Sequence, residues 1–116
     1  MTLKAYQKAQ AAAESPRHSE HRLFGQVTAA LIDAQRAQLK GGLLADAIDW
    51  NRRLWSTLAI DCMHEGNQLT RELRAQIVSL SIFVTKYSSK VMQEGAPLEP
   101  LIDINRTIME GLKQAA

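Results

Sequence analysis

A chain of 116 residues that is 46% hydrophobic and 22% charged has the size and balance of one globular domain and excludes a disordered composition. Its formal charge of +2 is small and its Lys and Arg are scattered, which argues against a dedicated nucleic-acid binder. Cys62 is the single cysteine, so an internal disulfide is excluded, and no run of roughly 18–20 apolar residues is available to span a bilayer.

Residues 1–14 lack the apolar run and cleavage pattern of a secretory signal, so a cytoplasmic protein is expected. Leu3, Tyr6 and Ala13 make a weak first helical stripe, expected to be loosely tethered ahead of the next element. Pro16 after Ser15 reads as a first helical position behind an N-cap. Phe24, Val27, Leu31 and Ala34 then form a heptad-like seam, and Gly41 and Gly42 read as the cap that ends it. Ala47, Trp50, Leu54 and Leu58 make a third face, flanked by Leu44, Ile48 and Trp55. Gly66 closes that pattern.

The longest stripe is Leu69, Leu73, Ile77, Leu80, Val84, Tyr87 and Val91, ending at Gly95 and Pro97. Val78, Ile82 and Phe83 lie outside it, so this helix is either central to the fold or offers a groove to a partner helix. Residues 79–85 are β-prone, but their place inside the stripe favours helix. Pro100 opens a last helix with Leu101, Ile108 and Leu112 inward, broadened by Ile102, Ile104 and Met109. Aromatics are 5% of the chain, so aliphatic packing must dominate the core. The expected fold is all-α, a compact antiparallel bundle of four to five helices in a single domain over residues 1–116.

No constellation for catalysis emerges. His18 and His21 share a helical face near Glu14 and Glu20, but no second His or Cys pair completes a metal site. Cys62 and His64 are two apart and do not face each other on a helix. Gly-rich phosphate loops, nucleophile elbows and His-Glu-x-x-His are missing. Asn105-Arg106-Thr107 matches a glycosylation sequon in an unsuitable helical context. The expectation is a binding protein, not an enzyme, with no cofactor and no metal.

Asn51 and Asn105 are the informative polar residues. Asn51 stands between Ala47 and Trp55, and Asn105 between Leu101 and Met109, so each is aimed into an apolar stripe. A polar group there must be hydrogen-bonded or cost about 1–3 kcal/mol. Either each bonds a neighbouring helix or its own turn, or the two mark a recognition surface.

Tyr6 to Gln10, Glu20, Leu23-Phe24, Asn51-Arg52-Arg53-Leu54-Trp55, Gly66-Asn67 through Leu73-Arg74-Ala75, and the closing run from Leu101 to Leu112 resemble the FlaF family of flagellar biosynthesis regulators of alphaproteobacteria. The likeness runs nearly end to end. It departs where members often carry proline after the Gly-Asn turn, here Thr70, itself a good N-cap. The resemblance implies a cytoplasmic accessory protein or chaperone of flagellin, working before export and alongside the FlbT regulator of flagellin translation. Flagellin is then the expected partner and FlbT a second. Direct binding of flagellin mRNA through Arg52, Arg53, Arg71 and Arg74 is an alternative disfavoured by the scarcity of aromatic platforms. The partner-binding candidates are Tyr6, Gln10, Trp50, Asn51, Arg52, Arg53, Asn105 and Arg106. Among them Trp50, Arg52, Arg53 and Arg106 are expected outside, with Leu54, Trp55 and Ile108 in the core.

Overall fold

A computed structural model describes residues 2–3 and 16–115, so the helix expected over 1–14, with Tyr6 and Gln10, lies almost wholly outside the described residues. The described chain forms α1 (Pro16–Arg36), α2 (Gly41–Cys62), α3 (Arg71–Glu94) and α4 (Glu99–Ala115). Helix α1 opens at Pro16, whose missing N–H costs nothing in the first turn. Its seam is buried throughout: Phe24, Val27, Leu31 and Ala34 are all at most 1% exposed.

The end of α1 corrects one sequence expectation. Gly41 and Gly42 do not cap it; they begin α2. The left-handed residue that turns the chain out of α1 is Gln38, at φ 53°. Leu39 N–H reaches back to Ala34 O at 3.0 Å and Gln38 N–H to Gln35 O at 3.3 Å, the paired bonds of a Schellman ending. Gly41 has a positive φ of 60°, so its freedom serves the turn into α2 instead.

The join between α2 and α3 is built from side chains. Asn67 Oδ1 accepts from Leu69 N–H at 2.9 Å, while its Nδ2 donates to Asp61 O at 3.2 Å. Arg74 Nε donates to Cys62 O at 2.8 Å and its Nη2 to His64 O at 3.3 Å. A cation at the carbonyl end of α2 satisfies otherwise orphaned acceptors and complements the helix dipole. Thr70 caps α3, its side chain accepting from Leu73 N–H at 3.2 Å. Residues 79–85 sit mid-helix in α3, so packing overrides their β-propensity. Helix α3 ends at Gly95, left-handed at φ 70°, as its sequence position anticipates.

Short turns make consecutive helices antiparallel. Each helix packs on two neighbours, α1 on α2 and α4, and α3 on α2 and α4, closing a ring of four. Within it Leu54, Trp55, Leu58, Ile77, Val84, Leu101, Ile108 and Leu112 form one continuous core with the α1 seam. Helix α3 is not central. Ile77, Val84 and Val91 face inward, while Ile82 and Phe83 are 55% and 42% exposed.

Candidate functional site

Among the described residues the core contains one polar residue from each of the four helices: Thr28 from α1, Asn51 from α2, Ser88 from α3 and Asn105 from α4, all at most 3% exposed. Asn105 organises the layer. Its Oδ1 accepts from Trp55 Nε1 at 2.8 Å, and its Nδ2 donates to Asn51 Oδ1 at 2.8 Å and Thr28 Oγ1 at 3.1 Å. The Thr28 hydroxyl in turn donates to Phe24 O at 2.6 Å. Because the indole N–H can only donate, it fixes Oδ1 as the end of the Asn105 amide that faces Trp55 and leaves Nδ2 for Asn51 and Thr28. Phe24 meets Trp55 edge-on, with centroids 5.5 Å apart and planes at 87°, holding the indole from the α1 side.

None of these four side chains is ionisable, so the layer offers hydrogen bonding and neither acid nor base. Its satisfaction is incomplete toward α3. Asn51 Nδ2 and Ser88 Oγ are buried without a partner. One residue further round each helix, Arg52 Nη2 donates to Ser89 Oγ at 2.8 Å, but Arg52 Nε is also buried and unpartnered.

The outer surfaces carry the remaining features. A groove of about 610 Å³ opens between α2 and α3, lined by Cys62, Arg71, Arg74, Ala75 and Val78. At the other end of the bundle a cavity of about 480 Å³ lies between the α1–α2 and α3–α4 turns, with Leu39, Leu44, Val91 and Leu98 in its walls. Gln35 Nε2 donates to Glu99 Oε2 at 2.9 Å, fastening α1 to α4 at that same end. Phe83 stacks on Tyr87, centroids 5.5 Å apart, and the Tyr87 hydroxyl donates to Pro97 O at 2.6 Å. Burial pushes the Tyr87 phenol above its ordinary value.

The candidate residues divide by side. Trp50, Arg53 and Arg106 are exposed, and Arg52 is half-buried against α3. Asn51 and Asn105 are withdrawn from the surface: both are 0% exposed, so a partner docking on the closed bundle cannot touch them. The physical reason is their bond to each other, which satisfies polar groups that the helical spacing aims inward. Leu54, Trp55 and Ile108 are buried in the core. Thr28 and Ser88 escaped the sequence reading. Each lies at helical spacing within a buried stripe, Thr28 between Phe24 and Leu31 and Ser88 between Val84 and Val91, which was the available signal.

Among the described residues, no cluster of three or more His, Cys, Asp or Glu is placed to hold a metal, and no helix is long and apolar enough to cross a membrane. A model of the protein family described as flagellar protein FlaF matches residues 2–112. No curated protein and no solved structure matches the chain.

Proposed function

Since the chain belongs to the FlaF family of flagellar proteins, we propose that it binds flagellin, acting as its chaperone toward secretion and filament assembly and through that contact regulating its synthesis. The family match over residues 2–112 carries this reading. The surface is compatible with it: Ile82 and Phe83, adjacent on α3, are 55% and 42% exposed, apolar surface that a partner could cover. A polymerising protein kept apart before export needs its apolar helical faces covered, and an apolar groove between helices does that by ordinary helix packing. On this reading the protein acts in the cytoplasm, without cofactor or metal, and by binding alone.

Control of flagellin mRNA, or action through FlbT without flagellin contact, is the second reading. Its arginine set is less available than the sequence implied. Arg74 is held by the α2 carbonyls and Arg52 by Ser89, leaving Arg53 and Arg71 as the exposed pair. Titration of the full chain with cognate flagellin, followed by calorimetry and co-elution, tests the proposal. A 1:1 complex supports it; no heat and separate elution, alongside a flagellin-leader gel shift or a stable FlbT complex, replaces it with the second reading.

A further inference from the structure

We infer that the outer seam between α2 and α3 is a docking groove for an amphipathic helix of another protein, apolar along one face and flanked by carboxylates. Arg71, Ala75, Val78, Ile82, Thr85 and Ser89 follow one another at steps of four and three, so they form a single stripe along α3. That stripe runs beside α2, because Arg74 bonds Cys62 O at one end and Ser89 accepts from Arg52 at the other. It spans 18 steps, about 27 Å or five turns, the length of an ordinary helix lying along it.

The middle of the seam is apolar and shallow. Ala75 and Val78 line the groove with Cys62, and Ile82 continues it while 55% exposed. Small side chains let a second helix approach closely, and the alternating steps match the knobs such a helix would present.

The ends are cationic. Arg71 is the first residue of α3, where the helix dipole is positive and a cation is disfavoured, and no carboxylate of the described residues bridges it. Its place is therefore not explained by helix stability. A partner carboxylate arriving there would meet the guanidinium, the neighbouring Arg74 and the positive helix end together. At the opposite end the half-buried Arg52 guanidinium, which donates to Ser89 Oγ, places a second positive charge beside the stripe. The carboxylates of α3, Glu72 and Glu94, fall off the stripe. Complementarity thus selects an acidic-flanked helix over a basic one, and over a second copy, whose own seam would bring arginine to arginine.

The inference deepens the flagellin reading but is separable from it. The probes are purified flagellin and a designed helical peptide of about five turns with Leu and Ala on one face and Glu on both flanks. Binding of each to the full chain is measured by fluorescence anisotropy, with Ile82→Glu and Arg71→Glu in the groove and Lys113→Glu, an exposed charge reversal on α4, as the control. The groove predicts at least tenfold weaker binding for Ile82→Glu, severalfold for Arg71→Glu and none for Lys113→Glu. A Lys-flanked peptide should prefer the Arg71→Glu variant over the wild type. Flagellin binding that ignores both groove variants overturns the groove and leaves the function standing. Peptide binding that depends on the groove, with flagellin not bound, overturns the function and leaves the groove. Concentration-dependent self-association abolished by Ile82→Glu makes the seam an interface between copies and overturns the inferred occupant. A peptide that binds none of the proteins overturns it outright.

Discussion

Replacing Asn105 with alanine removes the residue through which α4 is bonded to both α1 and α2. Its carboxamide is fully buried and makes three hydrogen bonds, to Trp55, Asn51 and Thr28. Truncation leaves Thr28 bonded to Phe24 O, but it strands the Trp55 indole N–H and Asn51 Oδ1 away from water. Each stranded group costs about 1–3 kcal/mol, and the vacated volume adds to that, so a loss of about 3–5 kcal/mol is expected. Against a domain stability of roughly 5–15 kcal/mol this is a large fraction. Urea unfolding followed by far-UV circular dichroism should show the midpoint falling by about 2 M at constant slope. Asn105→Leu keeps most of the volume and should keep most of the loss, because the stranded donor and acceptor remain. The double variant Asn51→Ala/Asn105→Ala should lose less than the two single losses added, by about 1 kcal/mol. A loss under about 1 kcal/mol for Asn105→Ala, or strict additivity with Asn51→Ala, would refute the network as the element that ties α4 to its neighbours.

Three smaller effects follow from the helix ends. Thr70→Ala should cost about 1 kcal/mol, read in the same unfolding assay, because it deletes the cap on Leu73 N–H; an unchanged midpoint would show that water replaces it. Gln38→Gly should stabilise by roughly 0.5–1 kcal/mol, since a left-handed residue with a Cβ is strained where glycine is not; a destabilised variant would show that the Gln38 side chain contributes more than its backbone costs. Tyr87 has its phenol raised by burial, so the folded state holds the proton more tightly than the unfolded chain. Its contribution is full below the unfolded value of 10.0 and is lost as pH rises through the higher folded value. The melting-temperature gap between wild type and Tyr87→Phe should therefore narrow above about pH 10; a constant gap from pH 8 to 11 would contradict that linkage.

The apolar stripes were legible because their spacing is a direct consequence of helical geometry. Phe24, Val27, Leu31 and Ala34 had one plausible face, and that face is buried. Glycine was less legible. Gly95 ends a helix and Gly41 begins one, both with positive φ, and nothing local in Gly41-Gly42 distinguishes a turn out of a helix from a turn into one. The left-handed role at the end of α1 falls to Gln38, a residue type that gives no warning of it. Asn51 and Asn105 could be seen to point inward because each lies one turn from apolar neighbours. That they bond each other could not be seen, since 54 residues separate them and only the ring of helices brings them together. Ser88 and Thr28 were hidden for another reason: hydroxyls are common in helices, where they bond the preceding turn, and only the packing shows that these two are enclosed. Trp50 and Trp55 are a similar lesson. Both are aromatic and both fit an apolar stripe, yet one is 37% exposed and the other 1%.

The polar layer also bears on the order in which the molecule can be completed. Its organising residue lies in the last helix, so a chain still lacking α4 has the Trp55 indole and Asn51 amide without their acceptor and donor, and a bundle with one wall missing. Such a chain lacks the helix against which one side of α1 packs. Synthesis runs from the N-terminus, so every nascent molecule passes through that state. Truncated or stalled products would remain in it, exposed to proteases and prone to capturing stray helices. Docking of Asn105 thus ties the closing of the bundle to the pairing of polar groups on α1 and α2, so the fold is completed in one cooperative step.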